Sequence, residues 1–497
     1  MVESPNPPAE NSLPTWVWTV LGLFSLPAFL LGLTVPFIGP DEPRYAEVGR
    51  EMLQSEDWIT PTLGGFRWFE KPPLLYWLEA FFYGIFGVNE FAARLGPALC
   101  GLGIVGCLWL LGRLTFDDRG LANWLAAIAA STLGLIVFSH AATTDIVVTL
   151  PLTVTMCGFL VFERREAANK AGSKLYAPLA AMYVAAGFAL LAKGLIGLVL
   201  PPAIILLYLA LSRRLPPRRL IVSVVWGLPL TLAIAAIWYV PMYLRYGDEF
   251  INEFIIRQHF ERFTTNVFQH PQPLYFYLWV LPLLTLPWLP FFIGGLCKAI
   301  RQAAKPSTSE NPPSRLLLFS LAWLVIPVAF FSASTSKLPG YILPAVPAAV
   351  VLAAIMVRQM GRSWSRLAAG LAGVTLVVVS VVLLTIFPTR AAEESAKPLL
   401  EAAVEHGYAT TRILLMNRDN FSAEFYAAGR LPRTADGKQQ KLYGPKEVEE
   451  SLRGSGNSPA LVLMPNEQVR ALLNDEALNS EVLAENREDC MVVVSLK

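Results

Sequence analysis

Ionisable residues stand at the ends of apolar runs throughout this chain, and their types suggest chemistry on an anionic, lipid-borne substrate. Asp41, Glu42 and Arg44 in "GPDEPRYAEVGREML" follow the first apolar run directly. Glu70 and Lys71 lie in "RWFEKPP", Asp145 in "SHAATTD" and Lys193 in "LLAKGL". His259 and Arg262 share "IIRQHFERF", and Lys337 and Tyr341 share "STSKLPGYILP". Lysine and arginine are the side chains that hold phosphate. Carboxylates beside them can position or deprotonate an acceptor. Each residue also has a plainer reading. Asp41 and Glu42 before Pro43 suit the first turn of a helix; Lys71 and Lys337 can snorkel to headgroups; Glu70 can pair with Lys71; Asp145 can cap a helix; a lone histidine is most often interfacial. Lys193 resists such a reading, because apolar "FALLA" and "GLIGLVLPP" flank it and a lysine there needs an anionic partner.

The elements that carry these residues are membrane spans. Of 497 residues 54% are hydrophobic and only 16% charged, and there are 13 Trp, 15 Tyr and 28 Phe. Mean hydropathy is +0.47. Soluble domains carry about 25% charged residues, so most of this chain is dissolved in lipid. A net charge of +2 excludes a nucleic-acid partner. The five cysteines form no disulfide framework: four sit in or beside apolar runs, and Cys100 and Cys107 are too far apart on one helix to bridge. The N-terminus has no Lys or Arg before the first apolar stretch and no clear cleavage site, which reads as an uncleaved first span.

Runs long enough to cross a bilayer recur at 16–38, 95–113, 121–139, 145–162, 176–192, 194–212, 220–243, 273–297, 315–331, 338–357 and 366–387. About eleven spans are expected, possibly up to 13. Basic residues crowd alternate short connections (Arg113 and Arg119, Arg164 to Lys174, Arg213 to Arg219, Lys298 to Arg315, Arg358 to Arg366), which assigns that side to the cytoplasm. The N-terminus then lies inside, and the C-terminus and two long loops, 39–94 and 244–272, lie outside. In the first loop Tyr45, Val48, Met52 and Leu53 recur at helical spacing between Arg44, Glu47, Glu51 and Gln54, the pattern of an amphipathic helix on a membrane surface. The apolar patch at 72–87 is short for a span and is placed along the interface. Residues 390–497 alternate helix-like stretches with the β-rich runs "RILLM", "ALVLM" and "MVVVSL", which predicts a small soluble α/β domain after a membrane domain over 1–389. No internal repeat stands out.

Taken together, the stretch "DEPRYAEVGREMLQSEDWITPTLGGFRWFEKPPLLYW", with "ATTD", "LLAKGLIGLVLP", "FIIRQHFERF" and "SKLPGYILPAVPA" in that order, resembles the bacterial GT-C glycosyltransferases. The resemblance is to the protein-mannosyltransferase-like group that includes lipid A aminoarabinose transferase. It covers about residues 16–360, and 41–77 is its most specific part. It implies a polytopic α-helical GT-C fold in the inner membrane with a site on the periplasmic face. It also implies a polyprenyl-phosphate (undecaprenyl-phosphate) sugar as donor, no nucleotide cofactor, and lipid A phosphate or another envelope glycan as acceptor. By the same resemblance Asp41 is the essential acid, with Glu42 beside it, and Asp145 is a second acid lining the cavity. Lys71 and Arg262 hold the lipid phosphate, with Arg44 and Lys193 among the cations available to it. Lys337 and Tyr341 match a motif that closes the cavity. Glu70 and His259 resemble a pair that binds a divalent metal, zinc in the aminoarabinose transferase. Pro43 and the tail depart from the family pattern. Two other readings are a protein O-mannosyltransferase-like enzyme and, from a different class, a flippase for a lipid-linked substrate. A flippase predicts polar groups toward the midplane and an inverted repeat, whereas these crowd the span ends.

Overall fold

The computed structural model describes residues 13–168, 170, 172–265, 270–304 and 312–497. The reading of the N-terminus up to residue 12, and Lys305 of the basic connections, fall outside them. The chain divides into two compact units. The first takes in residues 13–31, 69–75 and 96–380, and the second residues 32–68, 76–95 and 381–497. The sequence reading put its boundary at 390 and assigned the first outer loop to the membrane part; most of that loop instead folds in one unit with the tail.

Among the described residues seven helices are long and apolar enough to cross a membrane, and a bent pair raises this to eight. The difference from eleven lies in how prolines and hydroxyls cut the apolar runs. The run at 273–297 is two helices, Phe276–Leu284 and Leu289–Ala304, because Pro287 and Pro290 each lack the amide that would continue the first helix. The run at 121–139 bends by 55° between Arg119–Ala130 and Leu133–Ser139. There the Ser131 and Thr132 hydroxyls donate to the carbonyls of Ala127 and Ile128, both at 2.6 Å. The Leu133 amide leaves its own helix for the carbonyl of Leu286 at 2.9 Å, and Trp288 Nε1 donates to Ser131 Oγ at 3.1 Å, so the two breaks satisfy each other. The runs at 16–38 and 194–212 form 16-residue helices, Thr15–Leu30 and Ile196–Leu211.

The second outer loop is also more regular than expected. The helix beginning at Arg218 turns at Gly247, whose φ of +50° only glycine adopts readily. It resumes as a widened π-helical stretch over Ile251–Glu261 and ends with Arg262–Thr264. An aromatic cluster holds this return: Phe250 and Phe254 stack at 5.2 Å, and Trp238 sits edge-on to both at 5.4 and 5.3 Å.

In the second unit the helix Asp41–Ser55 forms as its pattern predicts, with Tyr45, Val48 and Met52 buried. The short helix Leu74–Phe86 packs on it, and Tyr83 donates to the carbonyl of Ala46 at 3.2 Å. Its polar stripe corrects the expectation of a solvated surface helix, because Glu47 and Arg50 are buried as well. Arg50 donates to the carbonyl of Phe425 at 3.0 Å and lies over that ring. A two-stranded hairpin follows, β1 Thr62–Leu63 and β2 Phe66–Arg67. The tail forms a five-stranded sheet from β3 Ile413–Met416, β4 Lys441–Leu442, β5 Ala460–Pro465, β6 Leu478–Glu485 and β7 Asp489–Leu496, in the order β4-β3-β5-β7-β6. β3 is parallel to β4 and β5, and the other pairs are antiparallel. Strand alternation sends Ile413, Leu415, Leu461 and Leu463 to a core with helix Lys397–Glu405. Leu414, Met416, Val462 and Val492 go to a second core with helix Pro445–Gly454.

Candidate active site

Five chain segments of the first unit bring charged side chains to one cavity. Asp145 stands in the first turn of helix Thr144–Ala167, where the positive end of the helix favours a carboxylate. Lys193 ends helix Ser173–Lys193, which Gly194 stops with φ +75°. Asp145 and Lys193 form a half-buried ion pair, which answers the need for an anionic partner. The Lys193 ammonium also lies 4.6 Å from the centre of the Tyr341 ring, within cation–π range.

Glu70 and Lys71, in the link before helix Leu74–Phe86, pair at 2.8 Å, and Arg262 Nη1 reaches the same Glu70 oxygen at 3.3 Å. Arg262 further donates from Nε to the Tyr341 hydroxyl at 3.0 Å and from Nη1 to Gln258 at 3.0 Å. Tyr341, in the tight turn Pro339–Ala345, therefore joins the Arg262 and Lys193 clusters. Burial pushes the Lys71 ammonium down to about 8; Glu70 opposes that shift and Arg262 adds to it.

The cavity has a volume of about 320 Å³ and is lined by Lys71, Lys193 and Arg262 against the single carboxylate of Glu70, with apolar walls such as Val199, Phe260 and Phe331. Counting Asp145, which pairs with Lys193, three cations meet two carboxylates and one positive charge is left over, which suits a phosphate; the walls suit a hydrocarbon chain.

Two glycines make this arrangement possible. A methyl group on Gly340 would sit 2.2 Å from Asp145 Oδ2, and one on Gly194 2.0 Å from His259 Nε2. His259 donates from Nδ1 to the carbonyl of Phe254 at 2.8 Å, which leaves Nε2 as the ring's remaining position. Glu70 and His259, the pair the family resemblance links to a divalent metal, both line this cavity. Zinc takes three or four protein ligands. Glu70 also pairs with Lys71 and Arg262, and among the described residues no three His, Cys, Asp or Glu side chains gather to hold a metal.

The remaining residues singled out in the sequence have the following partners within their own units. Lys337 is buried, and its ammonium donates to the carbonyls of Ser334 at 2.5 Å and Gln272 at 2.9 Å; it fixes the turn before Tyr341 and does not line the cavity. Asp41, Glu42 and Arg44 belong to the second unit. Arg44 folds back on Asp41 at 2.5 Å and lies over Trp68 and Phe421. Glu42 grips fully buried Arg94 with both oxygens, at 2.5 and 2.8 Å. Arg94 in turn reaches the carbonyls of Leu33, Val35 and Pro36. Through Arg94, Glu42 anchors the turn that follows the first apolar helix. Arg94, Gln258 and the two glycines carried no chemical signal in the sequence, since their roles depend on long-range neighbours.

Residues 37–248 match the family described as dolichyl-phosphate-mannose-protein mannosyltransferase. Undecaprenyl phosphate-alpha-4-amino-4-deoxy-L-arabinose arabinosyl transferase of Yersinia enterocolitica is 33% identical over 346 residues, 67% of this chain and 58% of that protein. The enzyme of the same name from Edwardsiella ictaluri is 33% identical over 359 residues, covering 69% and 61%. The chain thus matches about three fifths of the length of these relatives. Among solved structures, ArnT from Cupriavidus metallidurans bound to undecaprenyl phosphate superposes with a TM-score of 0.78 over 97% of this chain and 98% of that one, at 21% identity. The Archaeoglobus fulgidus oligosaccharyltransferase tethered with an acceptor peptide shares the fold at a TM-score of 0.56 and 13% identity, covering 91% and 69%.

Proposed function

The chain belongs to the GT-C glycosyltransferases of the ArnT type, a multi-pass membrane family, and from that premise we propose that it transfers a sugar from a polyprenyl-phosphate donor to an acceptor, with inversion. The observation that carries this reading is the cavity in which Lys71, Lys193 and Arg262 meet the Glu70 carboxylate between apolar walls. In the reaction the acceptor oxygen bonds to the sugar's anomeric carbon while the bond from that carbon to the phosphate oxygen breaks. Negative charge grows on the departing polyprenyl phosphate. Lys71 and Arg262, prepositioned by Glu70 and Tyr341, stabilise that charge, with Lys193 as a third cation held by Asp145.

Lipid A phosphate is the acceptor this reading favours, on the outer face of the inner membrane, with the basic connections in the cytoplasm. Such an acceptor is already a nucleophile. Asp41, the acid carried over from the family resemblance, then positions the acceptor more than it deprotonates it; a hydroxyl acceptor would use it as a base. Incubating the purified protein with polyprenyl-phosphate sugars and lipid A or other envelope glycans tests the proposal. Lys71→Ala and Arg262→Ala should each lower turnover by roughly 10²–10³, the loss typical of one electrostatic stabiliser. Wild-type turnover in both variants on a demonstrated substrate pair would remove the assignment.

A further inference from the structure

The first unit holds another cavity, of about 510 Å³, that the transfer reaction described above does not use. Arg164, Arg165, Lys170 and Lys174 line it beside Leu114, and among the described residues no carboxylate does. Three helix ends form its walls: the last turns of Glu90–Phe116 and Thr144–Ala167 and the first turn of Ser173–Lys193. Arg164 and Asp145 stand near opposite ends of helix Thr144–Ala167, about 28 Å apart at the helical rise, close to the ~30 Å thickness of a hydrocarbon core. The cavity therefore lies at the membrane face opposite the transfer site.

A basic span end alone is ordinary; here the cations are also aimed and left uncancelled. Arg164 donates from Nε to the carbonyl of Thr115 at 3.0 Å, and Arg165 from Nη1 to the carbonyl of Lys174 at 2.6 Å. Each guanidinium is thus held by one nitrogen, with further donors to offer a ligand. The acids nearby are engaged with other cations. Glu163 pairs with Arg214 at 2.7 Å and accepts from the Tyr208 hydroxyl at 2.8 Å, Asp117 pairs with Arg113 at 3.7 Å, and Asp118 pairs with Arg358 at 3.3 Å. Arg219 and Arg214 are the cations that act on Glu166. An apolar strip adjoins the charge: Leu110 and Leu114, one turn apart on helix Glu90–Phe116, are 47% and 52% exposed. Leu110 is the deeper of the two, so the strip leads from the cavity into the hydrocarbon.

A ligand that joins concentrated negative charge to acyl chains is an anionic phospholipid. We propose that this cavity binds the headgroup of an anionic phospholipid carrying two phosphodiesters, with an acyl chain laid along Leu110 and Leu114. Four cations exceed the single charge of one phosphodiester and can serve two, the arginines in forked contacts. The volume lies in the range of sites for small molecules and headgroups. Free phosphate would meet the charge but leave the strip uncovered. The assignment does not depend on the transferase reading.

The test is native mass spectrometry of the full chain, titrated separately with cardiolipin, phosphatidylglycerol, phosphatidylethanolamine and inorganic phosphate. Cardiolipin should bind saturably and about tenfold or more tighter than either other lipid. Lys170→Gln combined with Lys174→Gln should weaken it about 25-fold, roughly fivefold for each lysine. Arg213→Gln combined with Arg218→Gln removes as much charge from exposed positions on another connection and should leave cardiolipin affinity unchanged. Equal loss in the two double variants would show only the diffuse attraction of a basic face and overturn the proposal. So would equal affinity for cardiolipin and the other lipids, or binding of inorganic phosphate without any lipid.

Discussion

Lys71 is the residue whose chemistry the fold changes most. Buried between Glu70 and Arg262, it titrates near 8 in place of 10.5. A lysine whose folded pKa is lowered binds fewer protons folded than unfolded between these values. Stability therefore rises with pH across that window, as the cost of burying the charge is relieved. Phosphate binding has the opposite sign, because it needs the charged form. Polyprenyl-phosphate affinity should fall with pH above about 8, by up to roughly one decade per pH unit. Calorimetric titrations from pH 7 to 9.5 check this; a Lys71→Arg variant should lose that dependence, since arginine stays charged. Glu42 and Arg94 make the complementary case. Arg94→Met removes the buried guanidinium that donates to both Glu42 oxygens and to three carbonyls. It should cost about 3–5 kcal/mol, read as a lowered thermal midpoint, and adding Glu42→Met should recover part of the loss.

At the scale of elements, close approach between turns and helix ends decides the site. Helix Thr144–Ala167 delivers Asp145 against Gly340 of the turn Pro339–Ala345, and the stop at Gly194 makes room for His259. Gly340→Ala should displace Asp145 and loosen its pair with Lys193, lowering turnover more than thermal stability. Steady-state kinetics beside melting curves separate the two; a large melting shift at unchanged turnover per folded molecule would show that the glycine serves packing alone. The "KGL" and "LPGY" stretches were legible as sites of charge. Their glycines were not, because the neighbours they admit are 65 and 195 residues away along the chain.

The whole molecule joins segments the sequence keeps apart. Residues 381–497 share a unit with the first outer loop. Within it Tyr426 accepts from the Phe37 amide and donates to Glu90, both at 2.8 Å, Lys397 pairs with Glu90 at 2.7 Å, and Phe37 packs edge-on to Phe425. The tail thus covers surfaces of the loop that would otherwise be bare. Deleting residues 390–497 should abolish turnover and make the segment 41–68 sensitive to protease. Intact turnover by the truncated chain would refute this.

The sequence by itself determined that the chain lives in a membrane, that cations and carboxylates gather at helix ends, and that the tail holds β-rich runs. These follow from composition, from period and from the cost of placing charge in lipid, all local properties. Only the tertiary structure decided which charges meet. It put Lys71, Lys193 and Arg262 on one cavity, spent Lys337 on main-chain carbonyls and Glu42 on Arg94, and buried the polar stripe of helix Asp41–Ser55. Each outcome depends on a partner from a distant segment, and pairing across such distances is set by packing, which no local pattern encodes.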